Sequence, residues 1–282
     1  MKFLIIGKNG QLGKEFARIL SKNGSSFKGA GRQECDISDP AHVLELFENI
    51  KPDIVINCAA YNFVDKAETD YPNAFKVNAI GAKNLAVACK KQNAFLVHFS
   101  TDYVFDGKKI GLYTEKDSTN PINEYARSKA TGEEFIEEYL SDYLIFRVSW
   151  LYGEGKNSFI YKLLKWAKTQ EYLRIAYDEF SVPTSTRTVA EYTISSLKKG
   201  LTGLFHLVNS GYASRLEWAK LLFKTAHINK FIYPVSRKQF NLPAERPGFS
   251  AMSNEKLKKE LNREISYWDD ELVAFCNNSD LI

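Results

Sequence analysis

The chain has 282 residues, 44% hydrophobic and 26% charged, which is typical of a globular protein with one large α/β domain or one domain with a smaller appendage. Its 38 basic and 34 acidic residues leave a formal net charge of +4, and no Lys/Arg block indicates a nucleic-acid partner, although a small anionic substrate is compatible with this charge. No apolar run approaches the roughly 20 residues that a membrane span needs, and the first run, 3–6, is too short for a signal peptide, so we expect a cytoplasmic protein without a membrane partner.

The first half of the chain alternates short apolar runs with amphipathic stretches. The pattern predicts strands at 3–6, about 27–30, 53–57, 95–99 and 143–148. It predicts helices at 11–22, 74–90 and 126–138. Apolar strands that alternate with helices indicate a parallel sheet covered on both faces, so we expect a doubly wound α/β fold of the Rossmann type.

After Trp150 the alternation becomes less regular. A helix is predicted at 157–168, a strand at 204–208, and a helix at 214–226 that begins at the N-cap residue Ser214. The segment 231–250 holds three of the eight prolines and cannot be one regular element. We therefore predict a dinucleotide-binding domain at 1–150, and at 151–282 mostly a smaller substrate-binding lobe, interleaved with returns to the main sheet.

The four cysteines form no C-x-x-C pair and thus indicate neither a zinc site nor a redox motif. They are expected to be small, reduced core residues, as in proteins of the reducing cytosol: Cys35, Cys58, Cys89 and Cys276.

The first strand leads directly into a glycine-rich turn with the spacing G-x-x-G-x-x-G, and a helix follows. Gly7 permits a tight turn, Gly10 lets the backbone approach a pyrophosphate, and Gly13 lets the helix pack closely on the strand. The helix N-terminus offers free N–H groups to phosphates. We predict that a dinucleotide binds at this turn, at Gly7, Asn9, Gly10, Gln11, Leu12 and Gly13.

The second strand ends at Arg32, where an acidic residue would favour NAD and an arginine can instead meet the 2′-phosphate of NADP. Glu34 lies close by and leaves NADH possible, and Arg32 as a solvated loop residue is the alternative. Asp36 and Ile37 are candidates for contacts with the adenine, the first by a hydrogen bond and the second by packing. We expect NADPH as the cofactor, with NADH as the second possibility.

The candidate catalytic residues follow the fourth strand. Thr101 lies where parallel strands end and α/β proteins place their chemistry. Tyr125 and Lys129 are four residues apart, on one face of a helix. Reduction of a ketone needs a hydride at carbon and a proton at oxygen. Tyr125 could deliver the proton, Lys129 could lower the pKa of the phenol and hold the nicotinamide ribose, and Thr101 could donate a hydrogen bond to the carbonyl.

Most of the chain, to about Met252, resembles the dTDP-4-dehydrorhamnose reductase family, in the extended branch of the short-chain dehydrogenases. The matching motifs are G-Q-L-G at 10–13, P-D-I-V-I-N-C-A-A-Y at 52–61, V-D-K-A-E at 64–68, S-T-D-Y-V-F-D-G at 100–107, R-V-S-W-L-Y-G at 147–153 and R-P-G-F-S-A-M at 246–252. The resemblance implies NAD(P)H-dependent reduction of the 4-keto group of dTDP-6-deoxy-L-lyxo-4-hexulose to dTDP-L-rhamnose.

The resemblance also implies roles for further residues. The loop Ala59, Ala60, Tyr61 would line the cofactor. Thr101, Asp102 and Trp150 would meet the sugar nucleotide, and Arg246 would contact its diphosphate. The simpler alternatives are a core aromatic for Trp150 and a solvated arginine for Arg246. A homodimer is possible. Some family members hold Mg²⁺ at a dimer interface, but no ligand set can be assigned here, and no metal is expected.

Two segments depart from the family pattern. The family tends to have D-Q-x-G-x-P-T where this chain has Asp178, Glu179, Phe180, Ser181, Val182, Pro183 and Thr184. A charge thus replaces an amide, and a side chain replaces a glycine. The family's G-x-N-F appears at 155–159 with one extra residue. The exact substrate and the loop conformation therefore stay open.

Three other functions remain as alternatives. In the related nucleotide-sugar dehydratases an Asp-Glu pair follows the threonine, whereas here Thr101 is followed by Asp102 and Tyr103. A nucleotide-sugar epimerase, or a reductase for another keto-sugar, would keep the same catalytic set. A non-catalytic regulatory subunit resembling that of methionine adenosyltransferase would keep the fold and the cofactor site.

Overall fold

The computed structural model describes residues 1–155 and 158–278. Its strands are β1 (Lys2–Ile6), β2 (Ser26–Ala30), β3 (Ile54–Asn57), β4 (Phe95–Thr101), β5 (Tyr143–Val148), β6 (Leu151–Tyr152), β7 (Leu173–Ala176), β8 (Phe180–Ser181), β9 (Thr184–Ser185), β10 (Gly203–His206), β11 (Ala213–Ser214) and β12 (Ile232–Val235). Its helices are α1 (Gln11–Lys22), α2 (Pro40–Ile50), α3 (Val64–Ala67), α4 (Tyr71–Phe75), α5 (Gly81–Gln92), α6 (Glu124–Tyr139), α7 (Phe159–Thr169), α8 (Thr186–Lys199), α9 (Arg215–Thr225), α10 (Glu255–Leu261) and α11 (Trp268–Asn277).

Six of the strands form one parallel sheet in the order β10-β5-β4-β3-β1-β2. After β2 the chain crosses back over β1 to β3, so the direction of winding reverses between β1 and β3. Ligands of doubly wound sheets bind at such a reversal, outside the carboxyl ends of the strands. The predicted doubly wound α/β fold is therefore confirmed, and it brings the glycine turn after β1 beside the loop after β3.

The sheet is covered on both faces by helices. On one face, α1 and α8 pack together and bury a cluster that includes Phe16, Phe146 and Val189. On the other face, α2, α5 and α6 cover a cluster that includes Phe47 and Leu85. Burial on both faces explains why the central strands are almost wholly apolar in sequence.

A smaller lobe has its own hydrophobic core, formed mainly by α7, α9 and α11 around the fully buried Trp218. The pairs β7–β12, β8–β11 and β6–β9 complete this lobe. The chain leaves it at α8 and β10, because α8 packs on α1 and β10 pairs with β5 in the main sheet. No described helix is both long and apolar enough to cross a bilayer.

Several predicted elements need correction. The helix predicted at 74–90 is two helices, α4 and α5, separated by a π-helical turn, Lys76–Ile80. The pattern gave no indication of α2, whose N-terminus is fixed by the Asp39 side chain and by Pro40 in the first turn, or of α8. The strand predicted at 204–208 is Gly203–His206.

The two predicted helix starts after Trp150 can also be compared with the structure. The helix predicted from residue 157 begins at Phe159 with Ser158 as its N-cap, and residue 157 lies outside the described residues. The Ser214 cap is confirmed as a capping box with Glu217. All four cysteines are free, and all but the half-buried Cys58 are buried.

Candidate active site

The glycine turn depends on very close approaches of the backbone. Gly7 has a φ of +81°, and a Cβ there would lie 2.7 Å from the Ala59 nitrogen. A Cβ on Gly13 would lie 2.3 Å from the Gly7 carbonyl oxygen. Helix α1 begins directly after Gly10, and no side chain caps it. Its first-turn N–H groups can therefore donate hydrogen bonds to an anion such as a pyrophosphate. Asn9, Gln11 and Leu12 of the predicted set lie in this same turn.

The loop after β3 forms the opposite wall of this crevice. Its shape depends on two buried asparagines, since Asn57 Oδ1 accepts the Ala59 N–H (3.1 Å) and Asn78 Oδ1 accepts the Tyr61 N–H (2.8 Å). Asn78 Nδ2 also donates to the Tyr61 carbonyl (3.1 Å). Asn78 lies in the π-helical turn and was not among the predicted residues. Thus hydrogen bonds between the two asparagine side chains and the main chain of Ala59 and Tyr61 hold this loop at the crevice.

The end of β2 carries the residues that could distinguish the two cofactors. Arg32 is 84% exposed at its side chain, with its Nε 3.8 Å from Asp36 Oδ2. The Glu34 carboxylate pairs with the Lys8 ammonium and accepts the Gly31 N–H (2.9 Å). Lys8, which sequence reasoning missed, therefore lies near the end of β2 with its charge balanced by Glu34.

The two predicted adenine contacts are engaged in local structure. Asp36 Oδ1 accepts hydrogen bonds from the main-chain N–H and the hydroxyl of Ser38 (3.0 and 2.8 Å). Ile37 is only 4% exposed, because its side chain packs against Gly81 of α5 in the core. The packing of an adenine on Ile37 therefore needs the surrounding side chains to move.

Strand β4 and helix α6 bring the three catalytic candidates together. Thr101 is the last residue of β4, and Tyr125 and Lys129 lie in the first turns of α6, which Asn123 caps by accepting the Ala126 N–H. Burial raises the pKa of the Tyr125 phenol, and a hydrogen-bonding contact with Thr101 opposes that change. Tyr125 therefore keeps its proton in the free protein and can act as a proton donor.

Lys129 was expected to be the electrostatic partner of Tyr125, but its terminal nitrogen contacts other groups. Its side chain is 2% exposed, and its Nζ donates to the Phe99 carbonyl (2.6 Å) and lies 3.2 Å from His98 Nε2. Burial lowers the pKa of the Lys129 ammonium to about 8, while the charge of Glu133 opposes this change. The Phe99 carbonyl thus holds the Lys129 side chain under the sheet edge when no ligand competes for it.

Asp102 faces inward rather than into an open cleft. It is 2% exposed, and its Oδ2 accepts from the hydroxyls of Ser250 (2.5 Å) and Ser181 (2.7 Å), while its Oδ1 accepts from Thr101 (3.2 Å). Burial raises its pKa to about 6, and these three hydroxyls oppose that rise. In this arrangement Asp102 orients Thr101, and the predicted direct contact with a sugar requires it to exchange one of these partners. Ser181 is one of the two departures from the family loop.

A cleft of about 700 Å³ opens in the smaller lobe, and Glu179 and Arg246 of its wall contact Tyr103 and Asp65 of the main domain. Its walls carry six cationic side chains and three aromatic rings: Lys162, Arg174, Arg215, Arg237, Lys238, Arg246, Phe159, Trp166 and Phe240. Concave sites that combine aromatic surface with a few charged groups are typical of small-ligand sites. The cations suit a diphosphate, and the rings suit a nucleobase.

Arg246 and Trp150 hold the cleft wall in place. Arg246 makes a bidentate ion pair with Asp65 (2.9 and 2.8 Å) and so joins the smaller lobe to the main domain. Trp150 stacks on Trp218 with ring centroids 5.6 Å apart, and the Arg215 guanidinium lies 3.6 Å from its ring centroid. Trp150 therefore lies behind Arg215, close to the core-aromatic alternative, while Arg246 lines the cleft.

Glu179, the other departure from the family loop, is also part of this wall. Its Oε1 accepts from Arg215 (3.1 Å) and from the Tyr103 hydroxyl (3.5 Å). The carboxylate thereby neutralises one of the cleft's cations. Sequence reasoning missed Arg215, the partner of Glu179, and Ser250, the partner of Asp102. The only signals in the sequence were an arginine after the Ser214 cap and a serine inside the R-P-G-F-S-A-M motif.

Comparison with known proteins places the whole chain in one group. Residues 1–281 match the family described as the RmlD substrate binding domain. The dTDP-4-dehydrorhamnose reductase of Escherichia coli is 35% identical over 95% of this chain and 94% of that protein. The chain belongs to the dTDP-4-dehydrorhamnose reductase family. The match covers both the cofactor-binding half and the remainder of the chain.

Solved structures of this family agree with the fold. A dTDP-4-dehydrorhamnose reductase from Clostridium acetobutylicum superposes with a TM-score of 0.95 at 36% identity, covering 98% of this chain and 99% of that one. The dTDP-4-dehydrorhamnose reductase of Bacillus anthracis, solved in complex with NADP, superposes with a TM-score of 0.96 at 34% identity, covering 99% of both chains.

Proposed function

We propose that this protein is an NADPH-dependent reductase of the 4-keto group of a nucleotide-linked 6-deoxyhexose, with dTDP-4-dehydrorhamnose as substrate and dTDP-L-rhamnose as product. The observation that carries the proposal is the position of Thr101, Tyr125 and Lys129 at the carboxyl edge of the sheet, the edge that also carries the glycine turn. The cationic cleft is linked to the main domain by the contacts of Glu179 with Tyr103 and of Arg246 with Asp65. Two relatives named dTDP-4-dehydrorhamnose reductase are each 35% identical to this chain over 95% of its length.

The residues around the crevice fit a dinucleotide. The uncapped start of α1 and the space kept open by Gly7, Gly10 and Gly13 suit the pyrophosphate. Arg32 supplies positive charge where a 2′-phosphate would lie, which favours NADPH, while Glu34, paired with Lys8, leaves NADH as a second cofactor. A related reductase binds NADP, which supports this preference.

The remaining predicted cofactor contacts are assigned to the two ends of the dinucleotide. We assign Asp36 and Ile37 to the adenine end, and the loop Ala59, Ala60, Tyr61 to the nicotinamide half.

The chemistry of the site follows from its three central residues. When bound, the dihydronicotinamide supplies the hydride that reduces the keto carbon. The Thr101 hydroxyl turns away from Asp102 and donates its hydrogen bond to the keto oxygen as negative charge develops there. Tyr125, protonated in its buried setting, gives its proton to that oxygen. Lys129 holds the nicotinamide ribose and stabilises the phenolate that Tyr125 leaves.

The cleft provides the substrate specificity. Arg246 and Arg215 are placed to bind the diphosphate, and the aromatic rings Phe159, Trp166 and Phe240 are placed to contact the base. Asp102 and Trp150 act one layer behind, the first through Thr101 and the second through Arg215. The residues of 151–282 that carry this cleft form the substrate-binding lobe, apart from α8, β10 and α10, which belong with the dinucleotide-binding domain 1–150.

The test is an assay of dihydronicotinamide oxidation with dTDP-4-dehydrorhamnose, run with NADPH and in parallel with NADH. We expect turnover with both and a higher kcat/KM with NADPH. Tyr125→Phe should lose about 10²–10⁴-fold in kcat while binding cofactor normally, because it removes only the proton donor. Tyr139→Phe, at the other end of the same helix, is the matched control. Unchanged turnover in Tyr125→Phe would remove the proposed donor.

The same assay separates the alternatives. Cofactor binding without turnover, together with co-purification of an adenosyltransferase, would indicate the regulatory-subunit function. Turnover of a different keto-sugar would indicate a reductase for another substrate. Epimerisation without net oxidation of the cofactor would indicate a nucleotide-sugar epimerase. The reductase is favoured because Thr101, at the end of β4, lies beside Tyr125, so that two hydroxyl groups meet where a keto oxygen would be reduced.

Two further proposals concern the setting of the enzyme. We place it in the reducing cytoplasm, in agreement with its four free thiols. We also propose a homodimer, by resemblance to the family, which light scattering of the purified protein would test.

A further inference from the structure

A buried chain of polar groups runs under the active site, and of its members only Lys129 has a role in the chemistry above. The Ala59 N–H donates to Asn57 Oδ1 (3.1 Å), Asn57 Nδ2 lies 3.0 Å from His98 Nδ1, and His98 Nε2 lies 3.2 Å from Lys129 Nζ. Asn57, His98 and Lys129 are each no more than 2% exposed. The chain therefore connects the loop proposed to line the cofactor with the catalytic lysine, out of reach of solvent.

Donor and acceptor counting fixes the protonation of each member. The Ala59 N–H can only donate, so the Asn57 atom facing it is the carbonyl oxygen, and the NH₂ group must face His98. An NH₂ group can only donate, so His98 Nδ1 must carry a lone pair. Burial lowers the pKa of His98 well below its usual value, which makes the ring neutral. A neutral ring with a bare Nδ1 carries its proton on Nε2.

The Nε2–H of His98 then points at Lys129 Nζ. An ammonium has only donors, so the two groups would oppose each other at 3.2 Å. A neutral amine has a lone pair that accepts from Nε2–H, while one of its own N–H groups donates to the Phe99 carbonyl. We propose that His98 stabilises the neutral amine form of Lys129 in the free protein, and that cofactor binding releases Lys129 from His98 and favours its protonated form.

The surroundings of Lys129 agree with this assignment. The charged neighbour is Glu133, one turn further along α6, and its carboxylate is occupied by a buried bidentate ion pair with Arg147 of β5 (2.6 and 3.0 Å). From β4 only His98 and the Phe99 carbonyl contact the amine, and Tyr125 of α6 is a neutral phenol. Burial lowers the pKa of Lys129 to about 8, so the amine is accessible near neutral pH.

This inference rests on the proposed function, since it assigns the release of Lys129 to the cofactor, and it completes the proton balance. The proton that Lys129 takes up comes from solvent. After Tyr125 gives its proton to the substrate oxygen, the Lys129 ammonium can return one to the phenolate. One proton is then consumed per turnover, as reduction of a ketone by hydride requires. His98 is a positioning residue here, because it acts only through Lys129.

The first test needs no cofactor and is therefore independent of the proposed function. Two-bond ¹H–¹⁵N NMR spectra of the free protein, labelled at histidine nitrogens, report which ring nitrogen carries the proton. The His98 signals are identified by their loss in His98→Asn. We expect His98 to be neutral with its proton on Nε2. A proton on Nδ1, or a doubly protonated ring at neutral pH, would overturn the inference.

The second test measures proton uptake when NADH binds to the protein in a weakly buffered solution with an indicator dye. NADH is used because it has no 2′-phosphate that could itself titrate. With the pKa of Lys129 at about 8, uptake near that pH should be roughly half a proton per site, and it should vanish at lower pH. NADH binding without uptake near pH 8 would overturn the inference.

Two variants separate the role of His98 from a merely structural one. His98→Gln places an amide N–H near the position of Nε2 and should keep the uptake, with a wild-type pH profile of kcat. In His98→Asn the shorter side chain reaches Asn57 but not Lys129, so proton uptake on NADH binding should be lost. Circular dichroism would check that this variant is folded. Equal uptake in both variants would overturn the inference. If neither NADH nor NADPH binds, the proposed function is refuted, and the tautomer measurement alone decides the protonation of His98.

Discussion

The buried carboxyl of Asp102 makes a quantitative prediction about stability. Its folded-state pKa is raised from 3.8 to about 6, first by burial and against the hydrogen bonds from Ser250, Ser181 and Thr101. A difference of about two pKa units corresponds to ~3 kcal/mol. Because the pKa is raised, the folded protein binds this proton more tightly than the unfolded chain. The favourable contribution is thus fully present below about pH 4 and is lost as the pH rises through about 6.

Asp102→Asn removes this titration but keeps the size of the side chain. The free energy of unfolding of both proteins would be measured by urea denaturation between about pH 4 and 7. All other titrating groups are shared and cancel in the difference. We expect the variant to gain ~3 kcal/mol relative to wild type over this range, whatever its absolute stability. A difference between the two proteins that does not change with pH would refute the reasoning.

Ser181→Ala is the matched control, because it keeps the carboxyl and removes one donor at 2.7 Å. Loss of that donor should raise the pKa of Asp102 further, so the pH-dependent change should move to higher pH and become larger. A Ser181→Ala curve that overlays wild type would show that this hydroxyl does not interact with the ionised carboxylate.

Three further outcomes are expected. Arg32→Ala should weaken NADPH binding by about tenfold and NADH binding much less, measured by titration of protein fluorescence, and equal losses would disprove a 2′-phosphate contact. Gly13→Ala should destabilise the fold by ~1–3 kcal/mol and weaken both cofactors in thermal-shift and binding assays, because the new Cβ would lie 2.3 Å from the Gly7 oxygen; a wild-type melting temperature would contradict this. Arg246→Lys should raise the KM for the nucleotide sugar about tenfold with little change in kcat, since it loses the bidentate geometry, and a fall in kcat alone would argue against a binding role.

The sequence by itself determined the parts of this protein that depend on local pattern. Apolar runs that alternate with amphipathic helices specify a parallel sheet, and a glycine turn between a strand and a helix specifies an anion site. Tyr125 and Lys129 were placed on one helical face by their spacing, and Thr101 at the strand end by the same periodicity. Each of these signals spans only a few residues, so no knowledge of distant contacts is needed to detect them.

Only the tertiary structure decided how distant segments meet. The partners of Asp102 are Ser181 and Ser250, which lie 79 and 148 positions away, and no local pattern links them. The same holds for the ion pair that joins Asp65 to Arg246, 181 positions apart. Periodicity describes which face of one element is buried, but not which element covers it.

The π-helical turn is also a tertiary decision, because it interrupts a helix whose apolar spacing looks continuous in sequence. It lets Asn78 reach the main chain of Tyr61. The protonation of Lys129 depends in the same way on a chain of four residues from two strands, one loop and one helix, since hydrogen bonds between buried groups are set by the packing that removes water from them.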